Sequence, residues 1–221
     1  MITIYCNNHD DFHDFFSHDN ECNTITDLLY NETEPILTDS DKKILNQLTK
    51  LSIVVYPNKY QNKSPFDNKK SITLHEEIFK NLINLECLTI RHMNRNKSID
   101  ASSCGCRMSS LFSIGNIGNI KYLKNLESLT IMDGDTGNEI SEIFDLPNLQ
   151  KLTLNGNNIK NITGISNCKK LHYLDLSYND IINQIDIIKI DIINQIDELN
   201  KLPGLHFVYE IYFFPKKRHR Q

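Results

Sequence analysis

Tryptophan is absent from the 221 residues, and no run of 18 or more apolar residues occurs. The second absence excludes a membrane-spanning helix from the sequence. A strong charge of either sign is also missing: the formal net charge is −4, too mild for a global field drawing nucleic acid or an acidic membrane. The opening MITIYCNNHDDFHDFF has no basic stretch and turns acidic at once, so no secretory signal is expected. Without one, the six cysteines read as reduced thiols of an intracellular, cytoplasmic protein. The lack of tryptophan beside abundant Asn, Ile and Lys suggests an AT-rich coding sequence, as in a large DNA virus or a protist. Host cytoplasm is the expected location in the viral case.

What is present is a leucine periodicity. LTKLSI at Leu48, LECLTI at Leu85, LESLTI at Leu126, LQKLTL at Leu149 and LHYLDL at Leu171 share the form L-x-x-L-x-L/I. Four of them follow a further leucine three residues earlier: Leu45, Leu82, Leu123 and Leu146. In L-x-L the two apolar residues share one face of a short strand, because side chains alternate. Asn157 and Asn179 then stand where the chain must turn away, and an amide there can bond backbone of the neighbouring coil. One unit cannot bury its own leucines, whereas a stack can.

These residues resemble the leucine-rich repeat family, in its short class with a period near 22 residues. Leu152 to Leu174 is a step of 22, and Leu129 to Leu152 one of 23. The resemblance implies an α/β repeat solenoid, a short arc with a parallel β-sheet on its concave face and loops or helical turns on its convex face. About five to seven units are expected over residues 45–208. Residues 1–44 read as an N-terminal cap or flanking segment, and 209–221 as a capping strand with a basic tail.

The period slips in three places. Leu51 to Leu88 spans 37 residues and Leu88 to Leu129 spans 41. The excess falls in polar stretches at 57–71 and 94–113, read as loops on the side away from the strands, although each could hide one degenerate repeat (Ile72 to Leu74, for example). The third slip, within 180–201, contains DIINQID twice, at Asp180 and Asp191. Removing one 11-residue copy restores a nearly regular repeat, so the run reads as an internal duplication. Ile181, Ile185, Ile188, Ile192, Ile196 and Leu199 recur at helical spacing, which favours a helix on the convex flank.

Other chemistry is thinly represented. His9, His13 and His18 stand among Asp10, Asp11, Asp14 and Cys22, yet no second ligand set follows at fixed spacing. Cys104-Gly105-Cys106 lacks a paired C-x-x-C, and GNIGNI (Gly115 to Ile120) lacks the Lys-Ser/Thr of a phosphate loop. The tail KKRHR is a weak import or phosphate-binding pattern. No catalytic, metal or cofactor site is therefore assigned, and no small-molecule substrate is expected.

The family resemblance implies a non-catalytic scaffold, a monomer that binds an unidentified protein partner on its concave face. Carried over position by position, the contact set is Thr89, Arg91, Thr130, Met132, Thr153, Asn155, Tyr173, Asp175 and Ser177, with Asn157 and Asn179 as structural turns. Val54 is another strand position that alternation turns outward. An adaptor bringing a partner to a ubiquitin ligase or phosphatase is the alternative, although residues 1–44 show no F-box-like leucine-proline pattern. A histidine-aspartate metal enzyme is the remote one.

Overall fold

The structure is a computed structural model describing residues 2–6, 34–55, 70–92, 112–136, 140–179, 197–204 and 207–209. In chain order these form β1 (Ile2–Cys6), helix α1 (Asp39–Gln47), β2 (Lys50–Val55), β3 (Lys70–Thr73), helix α2 (Glu76–Asn81) and β4 (Cys87–His92). Then come β5 (Phe112–Gly115), a 3₁₀ helix (Ile117–Tyr122), β6 (Ser128–Met132), β7 (Gly134–Asp135) and a 3₁₀ helix (Ser141–Asp145). The chain continues through β8 (Lys151–Thr153), a 3₁₀ helix (Ile165–Asn167), β9 (Tyr173–Asp175) and β10 (Phe207–Tyr209).

The repeated leucines dictate the main sheet. Leu51, Leu88, Leu129, Leu152 and Leu174 are successive partners across adjacent parallel strands. All five are buried, and Ile53, Ile90, Ile131, Leu154 and Leu176 form a second buried column behind them. The sheet runs β1-β2-β4-β6-β8-β9-β10. β2 pairs directly with β4, and β4 with β6.

At its first edge, β1 pairs with β2 so that Ile2 aligns with Leu51 and Ile4 with Ile53. Residues 2–6 therefore add one strand to the stack. At the other edge Val208 aligns with Leu174.

A second sheet, ordered β3-β5-β7, is also parallel. Lys70 and Ser71, at the end of the stretch read as a loop, begin β3; Phe112 and Ser113, at the end of the next, begin β5. Ile72 aligns with Ile114, and both are buried. The extra residues thus leave at the carboxyl ends of β2 and β4 and return at the amino ends of β3 and β5. Residues 56–69 and 93–111, expected as loops on the side away from the strands, lie outside the described residues.

A strict three-residue rhythm explains the helical side. Ile117, Ile120, Leu123, Leu126 and Leu129 are spaced by three, as are Ile140, Ile143, Leu146, Leu149 and Leu152, and all ten are buried. Ile162, Ile165, Cys168, Leu171 and Leu174 repeat the pattern. A 3₁₀ helix has three residues per turn and eclipses i with i+3, so such a series keeps every apolar residue inward. Upstream of Leu45 the series meets Lys42 and Asp39, and the chain forms an α-helix instead. Thr38 caps it, its hydroxyl accepting from Asp41 N–H while Asp41 Oδ2 accepts from Thr38 N–H. The first turn of α2 is capped from a distance, by Glu34 Oε1 accepting from Glu77 N–H at 2.7 Å.

Of the duplicated segment, residues 180–196 lie outside the described residues, while 197–200 are helical. Glu198 ties this turn to the preceding coil, accepting from Ser166 Oγ at 2.6 Å and pairing with Lys201 Nζ at 2.6 Å. Those bonds, the one to Lys201 foremost, hold its carboxyl down at about 2.

Cys168 takes the place that leucine holds at 45, 82, 123 and 146. It is fully buried, and its thiol donates to Phe144 O at 3.4 Å. Burial, with a contribution from Asp145, pushes the thiol up to about 12. A raised folded value means stability fully present below the unfolded value and lost as pH rises toward the folded one. Urea midpoints should therefore fall more steeply for the wild type than for Cys168→Val between neutral pH and about pH 11. Equal slopes would show that Cys168 carries no such linkage.

Candidate concave interface

Alternation along β4, β6, β8 and β9 turns one set of side chains toward the core and the other outward. The outward row Ser52, Thr89, Thr130, Thr153 and Asp175 is continuous, since these residues are partners strand by strand. A parallel row begins with Cys87 and Ser128 and ends with Lys151 and Tyr173. A third holds Arg91 beside Met132. Arg91 is exposed; Thr89, Thr130, Met132, Thr153, Tyr173 and Asp175 are half-buried.

Asn155 and Ser177 lie beyond β8 and β9, where the chain turns. Ser177 is buried, and its hydroxyl donates to Asp175 Oδ1 at 2.6 Å while accepting from the Asn155 amide. It therefore braces the turn and offers no surface to a partner. Val54, outward by alternation, is fully buried too. Alternation assigns a side of the sheet, and exposure depends on what else packs there.

Behind this rim stand the turn asparagines. Asn157 is completely buried. Its Nδ2 donates to Ile131 O at 2.8 Å and Asn155 O at 3.0 Å, and its Oδ1 accepts from Gly134 N–H at 3.2 Å. Asn179 Oδ1 accepts from the N–H groups of Asn157 and Ile159, both at 3.0 Å, and its Nδ2 donates to Leu154 O. Each amide thus satisfies backbone groups of two coils at the turn.

A second asparagine series holds the opposite corner. Asn84 Nδ2 donates to Asn46 O at 2.7 Å, Asn125 to Ile83 O at 2.8 Å and Asn148 to Lys124 O at 2.9 Å. In the next coil Lys170 takes this position, and its ammonium donates to Asn148 Oδ1. The signal was the dipeptide Asn-Leu opening three of the repeats.

Electrostatics on this face are modest. Lys50, Glu86, Glu127 and Lys151 lie at or just before the starts of β2, β4, β6 and β8, all exposed and of both signs. Among the described residues no group of three or more His, Cys, Asp or Glu could hold a metal. The histidines and aspartates of residues 9–18, Cys22, Cys104, Cys106 and the basic tail lie outside the described residues. Among the described residues no helix is long and apolar enough to cross a membrane.

Register, inward leucines and turn asparagines together define a leucine-rich repeat solenoid. Residues 147–204 match the family described as Leucine Rich repeats (2 copies). No curated protein matches its sequence. Among solved structures it is similar to internalin C2 of Listeria monocytogenes, at 19% identity and a TM-score of 0.42, over 79% of this chain and 76% of that one. A second internalin of that organism, inlF, gives 19% identity and a TM-score of 0.43, over 76% of this chain and 42% of that one. A leucine-rich repeat protein of Leptospira interrogans gives 24% and 0.40, over 69% and 36%. The chain therefore spans less than half the length of the latter two.

Proposed function

We propose that the chain is a non-catalytic scaffold that binds a protein partner on its concave sheet. The observation carrying this reading is the outward grid itself. Side chains in register on five strands are unused by the core, and they include the exposed Arg91, the half-buried Met132 and the half-buried Tyr173. Tyr and Arg dominate binding energy where proteins meet, and Met adapts its shape to a partner. The small Thr89, Thr130 and Thr153 form a low floor between these taller residues. The same reading takes the chain as a cytoplasmic monomer.

The test is affinity capture from native cells followed by substitution. Arg91→Ala, Met132→Ala and Tyr173→Ala together should weaken a captured protein by roughly 2 kcal/mol or more, some thirtyfold, with unfolding midpoints unchanged. A partner held as tightly by the triple variant as by the wild type would overturn the concave reading.

A further inference from the structure

We infer that Asp175 and Tyr173 form an anchor for a cationic side chain, an arginine or lysine presented by the protein partner. The inference rests on the concave reading above and names the chemistry of one subsite within it.

Asp175 is the one carboxylate in the central outward row, where its counterparts are Ser52, Thr89, Thr130 and Thr153. Its Oδ1 is fixed by two donors, the Ser177 N–H at 2.9 Å and the Ser177 hydroxyl at 2.6 Å. Ser177 is in turn held by the Asn155 amide. The carboxylate is thereby held in one orientation before any partner arrives, which lowers the entropic cost of binding. Among the described residues, Oδ2 takes part in no hydrogen bond and no ion pair. Lys151, the cation on the neighbouring strand, is aligned with Tyr173 and forms no salt bridge with Asp175.

The neighbours supply the other half of a cation site. Tyr173 lies two residues before Asp175 on the same strand and the same face. On β10 the residues in register with this pair are Phe207 and Tyr209. Aromatic faces and a carboxylate together recognise guanidinium and ammonium groups. The opposite end of these two rows has no aromatic residue on β2, β4 or β6: Lys50, Cys87 and Ser128 precede Ser52, Thr89 and Thr130. The partner's cation is thus directed to β9.

Three acetylated pentapeptides, Gly-Ser-X-Ser-Gly amides with X as arginine, lysine or glutamate, provide the probes. Titrated into the full chain with ¹⁵N detection, the arginine and lysine peptides should shift the amides of residues 173–177 saturably, and the glutamate peptide should not. Asp175→Asn, which keeps the side-chain shape, should weaken the arginine peptide about tenfold, while Glu142→Gln on the convex side should leave it unchanged. Saturable shifts surviving in Asp175→Asn, or absent for both cationic peptides, would overturn the anchor. The captured partner separates this outcome from the broader reading. If Arg91→Ala with Met132→Ala releases it but Asp175→Asn does not, the scaffold stands and the anchor falls. If neither substitution releases it, the concave reading itself has failed.

Discussion

Asn157→Ala should cost about 3–5 kcal/mol, the largest loss expected from any polar substitution in this chain. The residue is fully buried and serves three backbone groups: the carbonyls of Ile131 and Asn155 and the N–H of Gly134. Removing its amide takes the side-chain partner from the Ile131 carbonyl and the Gly134 N–H, while Asn155 O keeps the Asp133 N–H at 3.0 Å, and each unmet buried group costs roughly 1–3 kcal/mol. Asn157→Asp should be no milder, because an acceptor oxygen would then face two carbonyls. Asn179→Ala should cost less, since that residue is only half-buried. Urea unfolding of the three variants checks the order. A loss below about 1 kcal/mol for Asn157→Ala would mean that the turn is held by something else.

The second large effect belongs to the leucine column. Leu129 lies on β6 with Leu88 on one side and Leu152 on the other, and it is fully buried. Leu129→Ala should cost about 3–5 kcal/mol through lost transfer energy and the cavity left behind. In a stack where each coil touches only its neighbours, a weakened central coil also uncouples the two ends. Unfolding of the variant should therefore broaden or split where that of the wild type is single. Thr130→Ala, one residue further and facing outward, should stay within about 0.5 kcal/mol of the wild type. Equal effects at the two positions would contradict the inward and outward assignment.

The leucine positions were legible in the sequence because burial leaves little choice there. A column of side chains shared by successive coils tolerates only residues of similar bulk, so Leu51, Leu88, Leu129, Leu152 and Leu174 repeat openly. The three-residue rhythm through Ile117, Ile120 and Leu123 was equally present, and it specifies 3₁₀ turns. That rhythm extends upstream of the leucine motifs at Leu126 and Leu149, where isoleucine replaces leucine. β1 was harder. ITIYC alternates as a strand should, but it lies 49 residues before its partner Leu51, with no leucine motif to mark the step.

The second sheet was hardest of all. Its strands are two to four residues long, and two of them follow polar insertions whose composition signals turns. Such short segments gain their structure from the coil beside them, through pairings such as Ile72 with Ile114, and that information is not local.

For the interface, sequence gave the side of the sheet and missed the degree of exposure. Thr89, Arg91, Thr130, Met132, Thr153, Tyr173 and Asp175 stand on the outward face, whereas Ser177 is consumed by its bonds to Asp175 and Asn155. A serine in a turn looks alike in both roles, and only its hydrogen-bond partners tell them apart.

Transfer of magnetic saturation from the captured partner to the amides of the ¹⁵N-labelled chain would locate the interface directly. Signal loss is expected at Thr89, Arg91, Thr130, Met132, Thr153, Tyr173 and Asp175, with the 3₁₀ helices Ile117–Tyr122 and Ser141–Asp145 unaffected. Loss concentrated on those helices, with the strand residues unchanged, would contradict binding on the concave sheet.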